Sequence, residues 1–192
     1  KRKMKMKRKR SSAKKYSDAP PEKDMETDED VDEDIPENNN TEVTPSDAFS
    51  TKTSLDLSAW QGKVITDKEV ASLGGEFPAL TSLNLSDRGK ITDNGVASLG
   101  ALSALTSLDL SLYDNITDKG VKSLCMLSGL TSLNICGCDK ITDAGVAALE
   151  AFPALKFLDL SYCDITDIGA ASLGVLSNLT SLNMSGCDSI TD

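Results

Sequence analysis

The stretch Leu130–Leu149 reads LTSLNICGCDKITDAGVAAL, and its two halves keep different periods. Through Leu133 and Ile135, apolar residues alternate with Ser132, Asn134 and Cys136. Period two marks a short strand with one apolar face. Beyond Thr142 the spacing opens to Val146 and Leu149, and in the equivalent earlier stretch Val96, Leu99 and Leu102 fall at i, i+3 and i+6. That spacing predicts a one-sided helix. Thr92 stands where it can cap the free backbone N–H groups, and Asp93 suits the positive helix end. The same Thr-Asp pair recurs at Thr66-Asp67, Thr117-Asp118, Thr142-Asp143 and Thr166-Asp167.

Working outward, the same text returns from Ser54 to the last residue. The first strand leucine falls at Leu55, Leu83, Leu108, Leu133, Leu158 and Leu182, with spacings of 28, 25, 25, 25 and 24. Each copy predicts strand, turn, helix and return loop. One copy cannot bury its leucines, whereas stacked copies build a shared interior. Strands stack about 4.8 Å apart while helices need about 10 Å, so the stack is expected to curve with strands on the concave side. Six strands span roughly 25–30 Å along the solenoid axis. The expected fold class is α/β: a curved solenoid with parallel strands on its concave face and helices on its convex face.

These motifs resemble the cysteine-containing subclass of leucine-rich repeats found in F-box proteins and related regulators. Leu130, Leu133, Ile135, Cys138, Ile141, Thr142, Asp143, Gly145, Val146 and Leu149 fit that pattern position by position, and the resemblance covers about residues 53–192. It implies a protein-binding solenoid. It also implies a role as substrate-recognition subunit of a cullin-type ubiquitin ligase, although residues 1–50 contain no F-box-like segment. The Cys position is filled by Cys138, Cys163 and Cys187 in later copies but by Trp60, Arg88 and Tyr113 in earlier ones. At Arg88 the turn is expected to open to solvent.

Charge divides the chain. Residues 1–15 hold ten Lys/Arg and no acid, and residues 16–50 hold thirteen Asp/Glu against one Lys. With four prolines and few apolar residues, 1–50 is expected to be a disordered tail, basic then acidic. Residues 51–192 are expected to form the repeat domain of about five to six units, the last truncated. That part carries nine Lys/Arg against seventeen Asp/Glu, about −8, which argues against nucleic acid as its main partner. The basic block Lys1, Arg2, Lys3, Lys5, Lys7, Arg8, Lys9 and Arg10 reads as a nuclear import signal, with weak nucleic-acid or anionic-membrane contact and a plain solvated tail as the other readings. Deletion of 1–15 separates a tail-tethered nucleic-acid-associated protein from the rest. No apolar run follows the basic block, so no secretory signal is expected. No stretch is long enough to span a membrane. The first residue is Lys and Ile190-Thr191-Asp192 stop within a motif, so a fragment of a longer chain is expected.

The five cysteines are an odd number and there is no histidine. Free thiols in a reducing, nuclear or cytoplasmic compartment are expected. The commonest general base and metal ligand is missing. With no phosphate loop and no nucleophile beside a base, no catalysis, cofactor, metal or small-molecule substrate is expected. Cys138, Cys163 and Cys187 should form an inward ladder of small buried thiols bonding turn backbone, Cys136 should point the other way, and Cys125 should be helix packing. The N-x-[ST] frames at Asn39, Asn84, Asn115, Asn178 and Asn183 are expected to be unmodified.

A partner protein is therefore expected on the concave face and its rim. By alternation the outward residues are Ser54, Asp56, Ser58; Ser82, Asn84, Ser86; Ser107, Asp109, Ser111; Ser132, Asn134, Cys136; Phe157, Asp159, Ser161; and Ser181, Asn183, Ser185. The middle column alternates Asp and Asn, which relieves like-charge repulsion. This face suits a basic or hydroxyl-rich partner, or is simply duplicated repeat text with nothing bound. Trp60, Arg88, Tyr113 and Tyr162 cluster at the strand ends, where hot spots of aromatic and Arg type would sit; Trp60 could equally plug the first unit's open core.

Overall fold

The structure, a computed structural model, describes residues 51–58, 64–86 and 90–191. The expectations for the tail, Trp60 and Arg88 lie outside these residues. Among the described residues, six three-residue strands form one parallel sheet in sequence order: β1 (Ser54–Asp56), β2 (Ser82–Asn84), β3 (Ser107–Asp109), β4 (Ser132–Asn134), β5 (Phe157–Asp159) and β6 (Ser181–Asn183). The register pairs leucine with leucine at every step, Leu83 with Leu108, Leu108 with Leu133, Leu133 with Leu158. Just before the strands, Thr81, Thr106 and Thr131 each donate both backbone N–H and hydroxyl to the carbonyl of the corresponding residue one unit earlier. Such doubled bonds pin the register at the strand start.

The strand leucines and the helix residues meet in one interior. Leu83, Leu108, Leu133 and Leu158 are fully buried, as are Val96, Val121 and Val146 from the helices and Leu99, Leu124 and Leu149 one turn later. The helices among the described residues are α1 (Asp67–Glu76), α2 (Asp93–Ser98), α3 (Asp118–Ser123), α4 (Asp143–Ala147) and α5 (Asp167–Ser172). Here the sequence reading needs correction. Each of the last four tightens into a 3-10 turn of three to four residues, so Leu102 lies just past the helical segment rather than in one continuous helix. The tighter turn shortens the return to the next strand within a 25-residue copy.

Thr92 caps α2 as its sequence suggests, accepting from Asn94 N–H at 3.3 Å. The neighbouring Asp does something the sequence does not announce. Asp67 accepts the N–H and hydroxyl of Thr92 in the next unit at 2.8 and 2.6 Å. Asp93 holds Thr117 the same way, Asp118 holds Thr142, Asp143 holds Thr166 and Asp167 holds Thr191. Each carboxylate thus staples its own helix start to the next. In the first described helix, Glu69 performs this service for Thr66 from within the same unit, as a capping box.

Candidate functional site

The sheet face carries its middle column as expected, but these side chains are largely occupied with each other. Asp109 Oδ1 accepts the N–H and hydroxyl of Ser111 at 2.9 and 2.7 Å, while its Oδ2 accepts the Asn134 amide at 2.8 Å. Asp159 repeats this with Ser161 and Asn183. The Asn oxygens accept the backbone N–H two residues on, at Ser86, Cys136 and Ser185. The Asp-Asn alternation is therefore a chain of donor–acceptor pairs as well as a dilution of charge. Two outward assignments are overturned: Ser111 and Ser161 are buried, because their hydroxyls fold back onto these carboxylates. Asp56, Asn84, Asn134 and Asn183 keep partial or full exposure, and Cys136 is half-buried. Phe157, at the start of β5, is 39% exposed.

The rim differs more. Tyr113 is buried at 3% exposure, against the expectation of an exposed hot spot. Its hydroxyl donates to the Leu85 carbonyl at 2.5 Å. The cysteines do the same with a shorter arm: Cys138 Sγ reaches the Leu110 carbonyl at 3.3 Å, Cys163 the Ile135 carbonyl at 3.3 Å and Cys187 the Leu160 carbonyl at 3.2 Å. The partner is a carbonyl of the preceding unit, not the turn's own backbone. Tyr113 is the ladder's first described rung. Tyr162 is exposed as expected, at 59%, with Leu112 at 54% in the turn after β3. Sequence reasoning missed Leu112. The available signal was its column, Leu112, Gly137, Tyr162 and Gly186, in which two members are glycine.

Burial pushes the Cys138 thiol up to about 11 and the Cys163 thiol up to about 12. Cys125, contrary to the packing expectation, is exposed. It lies in the 3-10 turn Leu124–Met126, which turns it outward while Leu124 is buried. Pulse alkylation at neutral pH read by mass spectrometry should label Cys125 quickly and leave Cys138 and Cys163 unmodified until the fold opens. Equal labelling of all three in the native protein would contradict this arrangement.

The Asp staples also set an acid limit. Hydrogen bonds from the Thr166 backbone and hydroxyl hold the Asp143 carboxyl below its ordinary value, and those from the Thr191 hydroxyl and backbone do so for Asp167. The Ser58 hydroxyl and backbone N–H lower Asp56 likewise. A depressed folded pKa means that the unfolded chain binds more protons in acid. This stabilisation is complete above about pH 4 and is lost as pH falls through the folded values. Thermal midpoints should be level at higher pH and drop below about pH 4, and Asp167→Asn should flatten that drop. An unchanged pH profile in the variant would contradict the staple.

Among the described residues no group of three or more His, Cys, Asp or Glu side chains is placed to hold a metal ion. Nor is any helix among them long and apolar enough to cross a membrane. One parallel sheet, one helical segment per unit and an interior shared by all units define a solenoid of strand–helix repeats. The family pattern described as "Leucine Rich repeats (2 copies)" matches residues 153–192, and that described as "Leucine Rich repeat" matches 78–100, 102–125 and 130–149. The chain is a leucine-rich-repeat protein. Similar solved structures include a chain of the Rad7 and Elc1 complex of yeast, 21% identical, with a TM-score of 0.51, covering 64% of this chain and 34% of that one. An internalin of Listeria monocytogenes is 21% identical, with a TM-score of 0.49, covering 72% of this chain and 42% of that one. The chain thus spans well under half the length of either. No curated protein matches it.

Proposed function

We propose that this chain is a non-catalytic adaptor whose sheet side and adjoining strand-end turns hold a partner protein. The observation that carries this reading is the exposure of Phe157, Tyr162 and Leu112 on the sheet side and its adjoining turns, beside a middle column whose Asp and Asn side chains are hydrogen-bonded to one another. A column of polar side chains already paired needs little ordering on binding, and bulky side chains standing out beside it supply the contact area. Repeat solenoids use such extended surfaces for recognition. The basic segment Lys1–Arg10 would serve as its nuclear import signal.

Affinity capture of the full chain from cell extract, with quantitative mass spectrometry, tests the reading. A partner is expected that falls at least about tenfold with Ser132→Arg in the sheet face and stays with Met126→Ser on the helical side. Matching thermal midpoints exclude misfolding. A partner lost only on changing the helical side would overturn the proposal.

A further inference from the structure

We propose that the turns following β3 to β6 form a docking edge for a cationic, apolar-bearing segment of another protein, anchored on Leu112 and Tyr162. This rests on the adaptor reading and narrows it from the whole sheet side to one edge.

Four residues at the same place in successive units, Leu112, Gly137, Tyr162 and Gly186, have φ of 68, 69, 59 and 76 degrees. The conformation is imposed by the stack, since the N–H of Leu112, Gly137 and Tyr162 donate to carbonyls one unit on, Cys136, Ser161 and Ser185, at 2.7, 2.8 and 2.9 Å. Glycine takes this backbone freely, whereas a bulky residue with positive φ is an outlier. In alternate units the chain nevertheless carries Leu and Tyr there, both more than half exposed. Burial does not account for them, and backbone preference opposes them.

Both side chains rest against the turn of the next unit. A methyl group at Gly137 would lie 2.8 Å from Leu112 Cδ2, and one at Gly186 would lie 2.5 Å from the Tyr162 ring, so each bulky residue lies over the glycine of the next turn. The column therefore alternates a projecting side chain with a glycine seat. Side chains that already lean on the fold have less freedom to lose when a partner arrives. Two units separate them, about 10 Å at strand spacing, which matches residues three apart on one face of a polyproline-II chain, at about 3.1 Å per residue and three residues per turn.

Charge fixes the partner's sign. Two residues beyond each column member come Asp114, Asp139, Asp164 and Asp188, all exposed, with Lys140 as the one cation in these four turns. Asp109 and Asp159 stand at the preceding strand ends. A segment carrying Lys or Arg beside two apolar residues complements this edge, and an acidic or phosphorylated one is repelled.

Panning a displayed library of random 16-residue peptides on the full chain tests this. Enriched peptides should carry Lys or Arg with two apolar residues about three positions apart. Their affinity should fall at least tenfold in Leu112→Gly/Tyr162→Gly, whose thermal midpoint holds or rises because glycine fits the backbone. Asp139→Asn/Asp164→Asn should weaken binding and flatten its salt dependence. Acidic consensus peptides, affinities unmoved by the rim variants, or tighter binding by a synthetic peptide of residues 1–15 would each overturn the proposal. Enriched peptides that ignore the rim but are lost on Ser132→Arg would leave the adaptor reading standing, and absence of any enrichment overturns the docking edge alone.

Discussion

Leu133→Ala should destabilise the repeat domain by roughly 2–5 kcal/mol, the range for deleting a buried leucine. Leu133 has no exposed surface and sits in register between Leu108 and Leu158. The surrounding sheet is fixed by bonds on both sides and cannot collapse into the hole, so the cavity persists. For a domain of this size the thermal midpoint should fall by on the order of 10 °C. The same change at Leu182 provides an internal contrast. That leucine holds the equivalent place in β6 but is 39% exposed. Its truncation should cost about 1–2 kcal/mol, because part of its apolar area already lies in water and no closed cavity is left behind. Equal costs at the two sites would mean that burial does not follow the stack.

Gly145→Ala should destabilise by roughly 1–3 kcal/mol, the usual cost of overpacking. Helix propensity alone predicts the opposite, a gain of up to about 1 kcal/mol for Ala over Gly. The sign therefore decides between the two accounts. A methyl group at Gly145 would lie 2.5 Å from Asp118 Oδ1 and 3.0 Å from Ile141 Cγ2. That oxygen is accepting the Thr142 N–H at 2.8 Å and has no room to retreat without breaking the staple. Gly120 stands in the same relation to Asp93. With Asp118→Ala already in place, Gly145→Ala should be close to neutral, a non-additivity that chemical denaturation of the four proteins measures directly. Additive losses would show that the glycine is needed for some other reason.

These two predictions also mark what the sequence could and could not disclose. The leucine register was legible because a strand period and a helix period recur in phase, and stacking is the only way such copies bury their apolar faces. The cysteine ladder was legible because small apolar residues return at one position. The staple was not. Asp93 beside Thr92 reads as a helix-end charge within one unit, whereas its partner Thr117 lies 24 residues away. Local reasoning has no means of preferring a contact across the stack to one along the chain. Tyr113 failed for a related reason: an aromatic at a strand end looks like an exposed anchor. Its hydroxyl instead spans to the Leu85 carbonyl, as the thiols reach theirs. Its place in the Cys column was the signal that outweighed residue type. At Leu112 residue type misled in the other direction, since an isolated leucine in a turn carries no mark of a left-handed backbone. Only the glycines later in its column, Gly137 and Gly186, do.

The binding surface itself is reached most directly by site-specific photo-cross-linking on the full chain in cell extract. A photoreactive side chain at Ser132, on the sheet face, should give a discrete protein adduct, and one at exposed Lys122 on α3 should give only diffuse background. A discrete adduct from Lys122 with none from Ser132 would contradict the account.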